Sequence, residues 1–342
     1  MAQTPGRTTR TLLAIIAVIL VLAALRASWY VTMPLVFAVF LAVLVWPLQR
    51  RLQRRLPLWL SVALLLMMLA SGLIAAGAII WFSISQLLQQ GPPISGKLQQ
   101  QLDALRQWAQ GLGLTIDERV LQDANVLRPA LDWVTAGVAS VWDAVGLIGL
   151  LLIFFVFLLL EMDQWRTKVQ QVFSPQTAEV VRETARTIIH RLQRYLMVRV
   201  FISVLSGVLV FGWCMLLDIT LALVWGVITF LFNFIPNIGS ILSYVFPVAT
   251  AWIQYDWRWA LLTLGCISGT DLVVGNFLEP RLQGRSLRIS PLVVIVSIAL
   301  WGWVWGVGGM VLAVPITASL VIVFSHIKSL EVIGKLLSEP RQ

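Results

Sequence analysis

Charged residues are scarce in this chain. Asp, Glu, Lys and Arg make up 12% of its 342 residues, whereas soluble domains carry about 25%. Hydrophobic residues make up 59%, and several apolar runs exceed the roughly 18 residues that indicate a membrane span. Runs such as "LLIFFVFLLLE" lack the alternation that is typical of a β-barrel strand. The sequence therefore predicts an all-α polytopic membrane protein.

Cysteine and histidine are also rare, which argues against most enzyme and metal sites. Both cysteines, Cys214 and Cys266, lie in apolar runs, and both histidines, His190 and His326, lie in basic segments. No spacing among them fits a zinc site, and a serine protease inside the membrane would lack its histidine. We therefore expect no enzyme activity, no metal and no cofactor.

The net charge of +9 comes from Lys and Arg in short segments between apolar runs. This pattern is typical of cytoplasmic loops and does not indicate a nucleic-acid partner. The densest cluster comprises Arg50, Arg51, Arg54 and Arg55. We predict that this loop, both termini and residues 165–199 are cytoplasmic.

The apolar and polar runs divide the chain into five segments. Residues 1–82 are predicted to hold three transmembrane helices, and 83–143 a small helical extracytoplasmic insertion with breaks at "GPP" and "GLGL". Residues 144–199 read as a fourth transmembrane helix and a basic amphipathic helix on the inner leaflet. Residues 200–325 form the predicted transport core, and 326–342 a cytoplasmic tail.

Two apolar stretches in the core are interrupted. Leu221–Gln254 is broken at Pro236–Gly239, and Pro291–Phe324 is broken at Gly306–Gly309. Each half has about 15 residues, or about 22 Å of helix, which is shorter than the roughly 30 Å hydrocarbon core. The pattern favours two re-entrant hairpins, and kinked full spans are the alternative.

The order of elements in the core suggests an inverted repeat. A span precedes each hairpin, so the predicted fold has about six full spans plus two broken re-entrant hairpins of opposite orientation, a recurrent transporter design. Broken backbone is tolerated at membrane depth where it is buried in protein or lines a wet cavity. We expect the two tips to meet near the midplane and to border the path of a polar solute. The residues predicted to line this path are Asn233, Pro236, Asn237, Gly239, Gly306, Gly308 and Gly309.

Asp271 lies well inside the predicted sixth span, roughly Trp259–Leu278, where an acidic side chain suggests a function. A structural hydrogen bond to a neighbouring helix is an equal alternative. Glu279 reads as a helix-end charge near Arg281. The candidate coupling or polar site comprises Asp271, Asn276, Glu279 and Arg281.

Three stretches, "VWGVITFLFNFIPNIGSIL", "GNFLEPRLQGRSLRISPLVV" and "ALWGWVWGVGGMVLAVPIT", resemble the autoinducer-2 exporter family of permeases. The resemblance implies a multi-pass protein of the bacterial inner membrane that exports a small polar metabolite, for example the quorum-sensing signal autoinducer-2. Some members are linked instead to sodium (cation)/proton antiport, in which a proton or sodium ion would be the coupling ion. The resemblance and the small-residue helix faces also imply a homo-oligomer.

Export of a neutral polar solute is the leading interpretation, because such a solute needs hydrogen-bonding groups rather than a fixed countercharge. Antiport through Asp271 is the alternative, and the scarcity of buried acids argues against it. A membrane scaffold without transport activity is a third, weaker interpretation.

The predicted topology can be tested by cysteine labelling. We expect Gln53→Cys to react with an impermeant reagent only from the cytoplasmic side and Gln100→Cys only from the opposite side, because Lys and Arg mark cytoplasmic loops. Labelling of both positions from one side of the membrane would refute the topology.

Overall fold

The computed structural model describes residues 7–111, 141–236, 238–283 and 289–326. The described chain is dominated by α-helices, which confirms the all-α class. A π-helical turn, Val274–Leu278, joins the helix that ends at Val273 to the one that begins at Glu279. The helices are α1 Arg7–Ala27, α2 Trp29–Gln53, α3 Leu58–Gly111, α4 Val141–Val172, α5 Pro175–Leu216, α6 Ala222–Phe232, α7 Ile238–Gln254, α8 Trp257–Val273, α9 Glu279–Gln283 and α10 Pro291–His326.

Length and composition identify a multi-pass membrane protein. Five segments of the described helices are long and apolar enough to cross a bilayer, namely Trp29–Gln53, Leu58–Phe82, Pro175–Leu216, Trp257–Gln283 and Pro291–Ser325. Three shorter apolar segments are Leu12–Ala27, Val145–Glu161 and Ala222–Phe232. The exact number of spans and the side on which the termini lie stay predictions.

Two expected helix breaks differ in the structure. Helix α3 does not end at the "GPP" sequence but continues to Gly111, although proline normally kinks or breaks the interior of a helix. Helix α5 runs without interruption from the predicted amphipathic segment into the apolar run that begins the predicted transport core. Residues 112–140 of the predicted extracytoplasmic insertion lie outside the described residues.

The chain divides into two compact units. The first draws its described residues from Met1–Met67, Val145–Leu196 and Arg285–Gln342. The second draws them from Met68–Ala144 and Met197–Gly284. The helices α3 and α5 contribute residues to both.

In the first unit, α2, α5 and α10 share a buried apolar cluster. Phe40 and Val43 of α2 pack with Leu192 of α5 and Leu312 of α10, and Ile188 packs against them. The C-terminal part of the apolar face of the amphipathic segment, at Ile188 and Leu192, therefore packs against two helices. Contact of the remainder of this segment with the inner leaflet stays a prediction.

A partly buried glutamine compensates for a proline in α2. Pro47 has no N–H, so the carbonyl of Val43, four residues earlier, loses its helical partner. The side-chain amide of Gln193 in α5 donates to this carbonyl at 2.8 Å. Gln49, which is fully buried, donates to the Leu159 carbonyl of α4 at 3.2 Å. These two amides link α2 to α5 and to α4.

Helix α10 folds back on itself near its middle. Trp305 and Gly306 leave the helical region, and Gly306 has a φ of 61°, which favours glycine. The indole of Trp301 donates to the Thr317 hydroxyl at 3.2 Å, although 16 residues of straight helix would separate the two by about 24 Å. The second broken stretch is therefore a helical hairpin, while its re-entry into the membrane stays a prediction.

The first broken stretch, in the second unit, is also a helical hairpin. Its arms are α6 and α7, and the rings of Trp225 and Phe246 stack across them with centroids 5.8 Å apart. At the open end, the amide of Thr220 donates to the side-chain oxygen of Gln254 at 2.8 Å. Helix α7 also packs along α8. The hairpin is thus held at its open end and along its length.

The closed end of this hairpin depends on Gly239. A Cβ atom at this position would overlap the carbonyl group of Phe232 on the other arm, so only glycine allows the two backbones to come this close. The connecting residues of the turn include Asn233 and Pro236. Asn237, predicted to be part of the tip, lies outside the described residues.

Replacing Gly239 should disrupt this turn. We expect Gly239→Ala to lower the free energy of unfolding by about 3 kcal/mol, because the backbone must move to admit the methyl group. Gly265→Ala is the matched control, since Gly265 lies in α8 with open space around it and alanine favours a helix. Thermal unfolding in detergent would measure both. Equal stability of the two variants would contradict the close approach.

Candidate functional site

Polar side chains from four helical segments surround a small cavity in the second unit. Its volume is about 10 Å³, near the lower limit for one water molecule. Helix α5, the two arms of the first hairpin and α8 all contribute. The lining residues are Ser206, Val210, Thr229, Asn233, Ser240, Ser243, Tyr244, Ile267, Thr270 and Asp271.

The hydroxyl groups around the cavity donate to their own helices. Thr229 donates to the Trp225 carbonyl at 2.8 Å, and Ser243 donates to the Ser240 carbonyl at 2.7 Å. Such bonds to the preceding turn are a common way for Ser and Thr to fit inside a helix. They use the hydroxyl proton and leave oxygen lone pairs able to accept a hydrogen bond from a ligand.

Two polar groups at the cavity lack hydrogen bonds. The side-chain amide nitrogen of Asn233 is buried and has no partner among the described residues. The Tyr244 hydroxyl lies near the side chains of Asp271 and Ser240, but it makes no hydrogen bond with suitable geometry. A buried donor without a partner costs about 1–3 kcal/mol, so a polar ligand or water would stabilise this site.

Asp271 adds a carboxylate to the same cavity. Its side chain is half-buried, and an ionised carboxylate only accepts hydrogen bonds. The structure thus places Asn233 and Asp271, which the sequence assigned to different candidate sites, around one cavity. Donors and acceptors face each other there, which suits a ligand with several hydroxyl groups.

Glu279 forms a buried ion pair two turns beyond Asp271. Its carboxylate accepts from Nη1 of Arg199 at 2.7 Å and from the Gln283 amide at 3.1 Å. The Arg199 and Glu279 side chains are 6% and 21% exposed, so water screens this pair little. Glu279 is therefore more than a helix-end charge near Arg281. Arg281 and Asn276 are exposed.

The glycines of the second hairpin have packing contacts. A Cβ atom on Gly308 would meet the Met33 sulfur and the Phe37 ring of α2, and one on Gly309 would overlap the Trp301 carbonyl group. These two positions permit close packing within the first unit. Their assignment to a solute path, and the approach of the two tips, stay predictions.

Several residues of the site were not selected from the sequence. Tyr244 was missed because it lies in an apolar arm of the first hairpin, and Arg199 because it was assigned to the basic amphipathic segment 165–199. A signal does exist on α5, where Arg199, Ser203 and Ser206 recur at intervals of four and three residues and so share one helix face. Polar residues with helical spacing inside an apolar span would have indicated a buried polar track.

The comparisons with known proteins all indicate transport proteins. The "AI-2E family transporter" family matches residues 13–329. The AI-2 transport protein TqsA of Escherichia coli K12 is 32% identical, over 94% of this chain and 93% of its own. Two relatives provisionally named as transport proteins, from Haemophilus influenzae and Borreliella burgdorferi, are 28% and 27% identical, over 91% and 96% of this chain and 91% and 90% of their own.

The matches extend across the described helices of both units, including both helical hairpins and the polar cavity. Together with the apolar helices, they make this a multi-pass membrane protein of a transporter family. The chain belongs to the AI-2E transporter family.

Proposed function

We propose that the protein exports a small, neutral, polar metabolite across the bacterial inner membrane, with autoinducer-2 as the candidate solute. The observation that carries this proposal is the polar cavity, where the unpaired amide of Asn233 and the carboxylate of Asp271 meet. The name of TqsA, an AI-2 transport protein, supports the choice of solute. This proposal goes beyond membership in the transporter family.

The chemistry of the cavity suits a polyhydroxylated solute. Hydroxyl groups can donate to Asp271 and accept from Asn233, so that one molecule would satisfy both. A cavity of about 10 Å³ is too small for any metabolite, since it holds about one water. In this proposal the described conformation is therefore a closed one, and helices around the cavity move apart to admit the solute.

Cation/proton antiport is the second candidate, and Asp271 is the observation that favours it. A half-buried carboxylate beside hydroxyl oxygens can bind a proton or a sodium ion in turn. In this mechanism the charge on Asp271 would be essential. In the export of a neutral solute, the same carboxylate would serve only as a hydrogen-bond acceptor.

Removing the unpaired amide should impair transport without impairing the fold. We expect Asn233→Leu to lower export of the solute from everted or reconstituted vesicles by about tenfold, the equivalent of one lost hydrogen bond of about 1.4 kcal/mol. Stability should be unchanged or higher, because leucine removes a buried donor without a partner. Thr263→Val is the control, since Thr263 is fully buried in α8 but does not line the cavity. Normal export by a folded Asn233→Leu protein would exclude this cavity from the solute path.

Asp271→Asn separates the two candidates. Asparagine keeps a hydrogen-bond acceptor but cannot carry a charge, so export of a neutral solute should fall only about threefold, within the range of one weakened hydrogen bond. Antiport should be abolished. Parallel assays of autoinducer-2 flux and of sodium-driven proton movement in proteoliposomes would distinguish them. Complete loss of autoinducer-2 flux in a folded protein would contradict uncoupled export.

A further inference from the structure

One face of α5 carries a file of four buried residues, three of them polar, that ends at the cavity. Arg199, Ser203, Ser206 and Val210 follow at intervals of four, three and four residues, which places them on one side of the helix. All four are buried, with exposed fractions of 5%, 0%, 8% and 1%. Ser206 and Val210 line the cavity, whereas Arg199 lies about 10 Å further along the helix axis.

A matching file runs along the segment from α8 to α9. Ile267, Asp271, Gly275 and Glu279 follow at intervals of four residues. In an uninterrupted α-helix, Asp271 and Glu279 would differ by about 80° around the axis. The π turn at Val274–Leu278 contains wider turns, which remove most of this offset. Both carboxylates can therefore face the same neighbouring helix.

The two files meet at two levels. Ser206 and Asp271 meet at the cavity, and Arg199 and Glu279 meet in the ion pair. The intermediate level is occupied by small residues, Ser203 and Gly275. A Cβ atom at Gly275 would have only the Asp271 carboxylate within 4 Å, so the space between the two levels is not filled by side chains at this position.

Two buried polar atoms between these levels lack partners. The Ser203 hydroxyl and Nε of Arg199 are both buried without a hydrogen bond to any described residue. Buried polar groups are normally satisfied by protein or by water. A narrow path for water or solute, when it is closed, would leave buried polar atoms without partners next to small residues. The unpaired atoms here lie in that setting, between a polar cavity and an ion pair.

We propose that the Arg199–Glu279 ion pair is the gate that closes the polar cavity on the side of Glu279, and that the pair separates when the path opens. This inference rests on the proposed function, since it takes the cavity as part of the solute path. Breaking a buried ion pair is costly, yet the desolvation of both charges offsets much of their attraction. An ion pair can thus close a path and still open, because each charge is hydrated as water enters.

The gate can be tested by labelling at the intermediate level. In a protein with Cys214→Ala and Cys266→Ala, we would introduce Ser203→Cys and measure its reaction with a membrane-impermeant maleimide. Glu279→Gln removes the charge–charge bond, so the reaction from the Glu279 side should become about tenfold faster. That side is the cytoplasmic one in the predicted topology, so inside-out and right-side-out vesicles are compared.

A second ion pair provides the matched control. On the surface of α5, Nη2 of Arg182 lies 2.6 Å from Oε1 of Glu179, and the two side chains are 48% and 60% exposed. Glu179→Gln makes the same chemical change outside the polar file and should leave labelling at position 203 unchanged. A reporter at the fully buried Thr263, beyond the cavity, detects general loosening, because Thr263→Cys should stay unreactive in every variant.

Because Glu279→Gln leaves Arg199 buried without its partner, a second variant replaces both with glutamine. The two glutamines carry no charge, so neither leaves an unpaired ion buried, and the double variant should also accelerate labelling at position 203. Unchanged labelling in both folded variants would overturn the gate, as would equal acceleration at positions 203 and 263. Labelling requires no solute, so failure here is distinct from failure of the proposed export, which the Asn233→Leu flux assay measures.

Discussion

The structure depends on the requirement that backbone groups in apolar surroundings find hydrogen-bond partners. A continuous helix meets this requirement by itself, but this chain interrupts its helices at several depths. At the end of α1, the carbonyl of Leu25 accepts from the Thr32 hydroxyl at 3.2 Å and from the Trp305 indole at 3.1 Å. The same requirement explains why Gln193 donates to the Val43 carbonyl freed by Pro47. Side-chain donors are thus placed where the helical ladder is incomplete.

The same constraint gives the polar cavity its significance. Elsewhere in the described helices, the side-chain amides of Gln49 and Gln193 each donate to a backbone carbonyl of a neighbouring helix. At the cavity, the side-chain amide nitrogen of Asn233 has no partner among the described residues. A donor left unused at a cavity that a carboxylate also lines supports the proposal of a binding site rather than of a structural contact.

The sequence predicted those parts of the fold that depend on local pattern. Apolar runs identified the helices, and Pro236–Gly239 and Gly306–Gly309 identified the two reversals, because proline, glycine and short arms are local properties. Partners distant in sequence could not be predicted in this way. Glu279 was interpreted beside its neighbour Arg281, whereas its partner is Arg199, which lies 80 residues earlier. The cavity likewise required the relative rotation of α5, α7 and α8. The alignment of Glu279 with Asp271 depends on the π turn between them, which has no distinct sequence signal.

The short arms of the first hairpin have a consequence for biogenesis. Helix α6 has 11 residues, or about 16 Å of helix, and cannot cross a hydrocarbon core of about 30 Å. An insertion machinery that recognises one spanning segment at a time would therefore not retain α6 by itself. In the predicted re-entrant arrangement, the two arms would enter the bilayer as a pair, held by the close contact at Gly239 and the bond between Thr220 and Gln254. Folding of this hairpin would then be coupled to its insertion, rather than following it.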